Sequence, residues 1–269
     1  MASKPQKSPH ASVDRADMLV DRWLQNPQAL DKASLAVVYE IIEKWRERLY
    51  SISWFMRCVS ETVARMANEE ENCKGRFWEG RFKSQALLDG AALLSCMAYV
   101  DLNPLRASLE QDLIDSDFTS IQQRLYDVAK YKNNKNKDEK RLQSRVNKQR
   151  QIKTLLRLSS LPEAPLMPFS GSAQSSEHCA LPFSRSDYFD LVDRTGRLFC
   201  EHKTGFIADT VPPILERFGV DAKHWLQHIK FFNLNYSFCI GRVERMRHFV
   251  AIADRGLGKG LSSAAKIFH

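Results

Sequence analysis

Apolar residues recur at helical spacing along most of the chain. Leu35, Val38, Ile42, Trp45 and Leu49 form one stripe, and Asp31 or Ser34 is placed to cap its helix. A second stripe, Phe55, Val59, Val63 and Met66, predicts a helix over 51–67. The polar run 68–75 (NEEENCKG) closes it, with Gly75 as a turn. From Arg76 to Leu88 no helical period holds and aromatic residues are frequent, which predicts a loop or strand. Asp89 can cap a further helix running to Leu102. Leu93, Met97 and Val100 are expected on its buried side, while Ala92, Cys96, Tyr99 and Asn103 share another face. Pro104 disfavours helical geometry in the residue before it, so the helix is expected to end at Asn103.

Outside this stretch the pattern changes character. Residues 1–16 are polar and proline-dotted, and are expected to be a disordered tail. Lys130–Lys153 holds ten cations against Asp138 and Glu139 alone, and reads as a basic helix or flexible arm. Residues 159–180, rich in Ser and Pro, read as a linker. Tyr188, Leu191 and Val192 mark an amphipathic helix, and Pro212-Pro213 opens another with Ile214, Leu215 and Phe218. Gly219 predicts a turn before Trp225, Leu226 and Ile229. Leu215–Ile229 is more simply a packing hairpin than a helix-turn-helix. The expected organisation is a tail (1–16), a segment carrying the Tyr99 helix (17–125), a basic arm and linker (126–180) and a helical C-terminal domain (181–269).

The 269 residues suffice for one large domain or two small ones, and a net charge of +8 favours an anionic partner. No run of about 18 apolar residues occurs, so no membrane association is expected. The opening MASKPQKSPHASVDRAD lacks the apolar centre of a secretory signal. Six scattered cysteines without a Cys-x-x-Cys pair read as reduced structural thiols of a cytoplasmic protein.

Candidate chemistry concentrates in residues 75–107, GRFWEGRFKSQALLDGAALLSCMAYVDLNPLRA. Arg76, Trp78, Arg81 and Lys83, interleaved with Phe77 and Phe82, suit a phosphate backbone and unstacked bases. Tyr99 and Asn103, four residues apart, share one helix face. GRFWEGRFKS (75–84) and AYVDLNPLRA (98–107) resemble the REP-associated tyrosine transposases of the single-tyrosine HUH superfamily. The likeness extends upstream through residues 54–75 and more loosely into 181–197 and the PPIL run at 212–215. The resemblance implies that Tyr99 descends from a nucleophile that cuts and rejoins DNA through a 5′-phosphotyrosine. It implies that Arg76, Trp78, Arg81, Lys83 and Arg106 contact single-stranded or hairpin DNA. It also implies a Mg or Mn ion held by a His-hydrophobic-His pair, with Asn103 as third ligand.

The sequence departs from that pattern. It contains no His-x-His, and its closest histidines, His224 and His228, read as surface or packing residues. Ala11–Trp54 already resembles the helical middle of longer relatives, so the chain is expected to be an amino-terminally truncated member that binds no metal and does not cut DNA alone. A full-length transposase acting in trans is the partner this implies. The expected fold class is mainly α, a helical remnant of an α+β HUH-type transposase domain plus a small helical C-terminal domain. The alternatives are a non-catalytic nucleic-acid-binding protein or an inert remnant of a mobile element.

Overall fold

A computed structural model describes residues 11–132, 137–155, 165–171, 179–200, 212–253 and 259–269. The protein is mainly α, and its contacts divide it into two units, up to Lys83 and from Ser84 onward.

The first unit holds three helices, α1 (Ala11–Gln25), α2 (Lys32–Leu49) and α3 (Ile52–Glu70), with a short 3-10 turn at Pro27–Ala29. Residues 11–16 belong to α1, so the polar composition of that stretch does not make it a tail; residues 1–10 lie outside the described residues. Asp31 caps α2, accepting a hydrogen bond from the Ser34 amide at 2.9 Å, and these bonds with Ser34 lower its carboxyl pKa. Ser51 caps α3 through the Trp54 amide. Val20 and Val38 are the only buried apolar residues described in this unit, and α3 buries none.

The second unit contains the core. Strand β1 (Ala86–Leu87) pairs in parallel with β2 (Cys239–Ile240), in the register Ala86 to Cys239 and Leu87 to Ile240. Between them in sequence run α4 (Gly90–Asp101), α5 (Asn103–Arg106), α6 (Ser120–Lys132), α7 (Lys137–Leu155), α8 (Arg185–Cys200), α9 (Pro213–Arg217), α10 (Ala222–Lys230) and α11 (Phe232–Asn235). After β2 come α12 (Val243–Ile252) and α13 (Leu261–Ile267). Helix α4 packs on α10, α5 on α8, and α10 on α13. The division falls within the segment 17–125, and α4 and α5 build one core with helices from beyond residue 181.

Helix α4 is capped by Asp89, whose Oδ1 accepts from the Ala92 amide at 2.9 Å while Oδ2 accepts from the Arg242 amide at 2.8 Å. Its fully buried residues are Ala91, Ala92, Leu94, Ser95, Ala98 and Asp101; of the expected Leu93, Met97 and Val100, the first two are half-buried against the core and Val100 is exposed. The helix is apolar almost all round, so both phases offered a stripe, and the small residues won because they admit close packing. The same closeness recurs where α5 meets α8. A Cβ at Gly196 would lie 3.0 Å from the Leu105 side chain. Pro104 does not end the run at Asn103; α4 stops at Asp101, and Pro104 sits in the first turn of α5, where its missing N–H costs nothing.

The basic stretch is helical where described. Helices α6 and α7 pack against each other over Tyr126, Leu142 and Val146. Arg141 pairs with Asp115 and Asp112, and Arg145 with Asp115 at 3.3 Å and Asp117 at 3.0 Å. Two of the expected arm's cations therefore tie α7 to the 112–117 segment before α6. The expected linker also contributes to the core: buried Phe169 lies among the rings of Phe183, Tyr188 and Phe189. Residues 156–164 and 172–178 lie outside the described residues. Among the described residues no helix is long and apolar enough to cross a membrane.

Candidate functional site

The corner between α4 and α5 brings three of the expected site residues together. Tyr99 lies in the last turn of α4, Asn103 opens α5, and Arg106 closes it. Leu102, in αR geometry between the helices, lets the chain turn without losing helical hydrogen bonding. Arg106 Nη2 donates to Asn103 Oδ1 at 2.5 Å and reaches the Tyr99 hydroxyl at 3.4 Å. Its guanidinium carbon stands 5.0 Å from the centre of the Tyr99 ring, an additional cation–π contact. On another side the Tyr99 ring stacks on Phe232 of α11, with centroids 4.9 Å apart. Tyr99 is half-buried, Asn103 exposed and Arg106 half-buried, with its Nε enclosed and without a partner. The corner is thus a phenol fixed by stacking beside one cation, open to solvent on the Asn103 side.

Arg76, Trp78, Arg81 and Lys83 belong to the first unit, in the irregular run after α3. All are exposed, as are Phe77 and Phe82. The Trp78 indole N–H donates to the Ser60 carbonyl at 2.9 Å, and its ring meets Phe77 edge-on at 4.8 Å. One indole edge is therefore committed to α3, while a large part of the ring stays open.

The residues do not fit the divalent ion that the sequence reading attached to Asn103. Its side-chain oxygen faces a guanidinium, and a cation there repels a second one. Among the described residues no group of three His, Cys, Asp or Glu could hold a metal. His224 and His228 face different surroundings. His224 is exposed, with Nδ1 3.0 Å from Asp221 Oδ1. His228 is buried among the rings of Trp225, Phe232, Tyr236 and Phe268, with Nδ1 3.3 Å from the Tyr236 hydroxyl. Burial penalises the charged ring and pushes its pKa down to about 3.

Two polar clusters escaped the sequence reading. Buried Asp101 accepts from the Tyr188 hydroxyl at 2.6 Å, the Ile121 amide at 3.0 Å and the Ser120 hydroxyl at 2.8 Å. It thereby ties α4 to the start of α6 and to α8. Burial, followed by the Asp101 charge, raises the Tyr188 pKa well above the ordinary phenol value. Arg124 lies close enough to feel Asp101, and burial lowers its pKa despite that charge. The signal was available: Asp101 continues the 91, 94, 98 spacing of the buried face. The other cluster lies where α2 turns into α3, an open cleft of about 410 Å³ lined by Lys44, Glu47, Arg48, Ser51 and Trp54. The guanidiniums of Arg48 and Arg57 lie 4.2 and 4.9 Å from the Trp54 ring centre.

Compared with family models, curated proteins and solved structures, the chain matches none of them.

Proposed function

We propose that this chain is a DNA-binding protein of the single-tyrosine HUH transposase type, similar to REP-associated tyrosine transposases, that takes single-stranded or hairpin DNA and does not cut it unaided. The observation that carries the reading is the Arg106 guanidinium set between the Tyr99 hydroxyl and the Asn103 amide oxygen. A guanidinium carries five N–H donors, more than Asn103 and Tyr99 take up, so a backbone phosphate bound there would lie beside the phenol. Exposed Arg76, Arg81 and Lys83 offer further phosphate contacts, and the open part of Trp78 offers a surface for a base.

In the ancestral reaction the phenol oxygen attacks phosphorus, the bond to the 3′ oxygen breaks, and the chain keeps a 5′-phosphotyrosine. A phenol ionises near pH ~10, so at neutral pH this attack needs help that one guanidinium does not supply. With Asn103 engaged by Arg106, the corner supports binding and not autonomous nicking. The stacking of Tyr99 on Phe232 favours a second reading, in which the tyrosine is only a packing residue and the DNA contacts lie elsewhere.

The test is a gel-shift titration of a hairpin oligonucleotide against the purified chain at increasing salt. Binding should fall steeply as counterions are released, and Arg106→Ala should weaken it while leaving the circular dichroism unchanged. With Mg or Mn added, no covalent band should form on denaturing gels. Binding that is undetectable or indifferent to salt overturns the proposal. A metal-dependent adduct lost in Tyr99→Phe overturns the claim of inactivity. Full binding by Arg106→Ala selects the second reading.

A further inference from the structure

The α2–α3 hairpin leaves an apolar face open. Along α3, Ile52, Met56, Val59, Val63 and Met66 follow a 4-3-4-3 spacing, with Phe55 beside them; along α2, Leu35, Val38, Ile42, Trp45 and Leu49 follow 3-4-3-4. That is the spacing of helices that bury a seam against other helices. Yet Ile52, Phe55, Val59 and Val63 are exposed, as are Trp45 and Leu49 at the end of α2. At about 200 Å² for a large side chain, these six residues leave roughly 650 Å² open. One side of a standard protein interface covers about 800 Å². A patch of this size on a lone chain is unusual, because its hydration opposes folding.

We propose that this face is a self-association surface, on which a second copy of the chain seats its own α2–α3 hairpin to form a two-fold helical bundle. Charge distinguishes this occupant from DNA. The whole chain carries +8, but α2 and α3 together hold six Lys and Arg against six Glu. A neutral hairpin has little attraction for a phosphate backbone and meets its own copy without net repulsion. The charges also lie off the seam. Glu61 sits between Arg57 and Arg65 on the face of α3 opposite the stripe, where it stays in water as the seam closes. An isologous contact lets α3 meet itself antiparallel, so one 15-residue stripe serves both partners.

The experiment is sedimentation velocity on the full chain over a dilution series, repeated with Phe55→Asp/Val63→Asp. Both substituted side chains are exposed in the single chain, so circular dichroism should match the wild type and any change reads association. The wild type should shift from monomer to dimer mass in the micromolar range, and the double variant should associate at least about tenfold more weakly. A wild type that stays monomeric throughout overturns the proposal, as does a variant that dimerises equally well. Flotation of a monomeric wild type with phosphatidylcholine vesicles, abolished in the variant, would overturn it in favour of a lipid surface. DNA binding is unaffected by these outcomes, because the surface shares no residue with the Tyr99 corner.

Discussion

The Tyr188 hydroxyl lies 2.6 Å from Asp101 inside the core, whereas the Tyr99 hydroxyl lies 3.4 Å from Arg106 at a half-open corner. Removing the first leaves a buried carboxylate short of a donor; removing the second leaves Arg106 on its shorter bond to Asn103. Tyr188→Phe should therefore cost about 1–3 kcal/mol and Tyr99→Phe under about 1 kcal/mol in urea unfolding. Equal costs would make the Tyr99 hydroxyl structural. His228 carries a pH signature. Its folded pKa is about 3 and its ordinary value 6.5. Above 6.5 neither state binds the proton; between the two values only the unfolded chain does. Stability is thus lost as pH falls through this window, by about 2 kcal/mol at pH 5. In urea melts from about pH 7 to about pH 5, wild type should lose stability relative to His228→Leu. Parallel curves would show that His228 titrates normally. Trp225 and Phe232, three and four residues away, set His228 on the apolar side of α10 and apart from His224, while Phe268, which completes its enclosure, is remote from local spacing.

At the scale of elements, caps and turns were readable because their causes are local. Asp31, Asp89 and Gly219 stand where spacing put them, and Gly219 adopts φ +63 where an added Cβ would lie 2.7 Å from the His269 carbonyl oxygen. Local chemistry does not give the cost of losing a cap. Asp89 accepts from Ala92 within its helix and from Arg242 across the unit, while Asp31 serves one exposed amide. Asp89→Ala should cost about 2 kcal/mol and Asp31→Ala clearly less, read from thermal or urea midpoints. The phase of α4 was misread for the converse reason. Its side chains were apolar in several directions, and only the partners α10 and β1 decided which were covered. The pairing of Arg141 and Arg145 with acids at 112–117 was hidden likewise, since it depends on how α7 folds back.

For the whole molecule, continuity in sequence concealed a division in space. Residues 75–107 read as one motif, yet Arg76, Trp78, Arg81 and Lys83 close the first unit and Tyr99, Asn103 and Arg106 lie in the second. Sparse burial in the first unit and a continuous core in the second should separate their local stabilities. In hydrogen exchange at low concentration, amides of α3 should exchange well before those of α8 and α10. At high concentration, self-association should slow exchange in α3 alone. Uniform protection across both units would contradict the burial pattern.

The two-residue pairing of β1 with β2 carries a consequence for synthesis. Gln85 donates to the Tyr236 carbonyl, Ala86 to Phe238 and Leu88 to Ile240, and Asp89 accepts from Arg242, so contacts beside α4 wait on residues more than 150 positions later. A ribosome adding about 5–20 residues per second needs roughly 8–30 s to cover that distance. Throughout this interval the nascent α4, apolar nearly all round, has neither its strand nor α10 to cover it. The Phe232 ring that stacks on Tyr99 lies 133 residues further on, so the Tyr99 corner is complete only once α11 has been made and has docked.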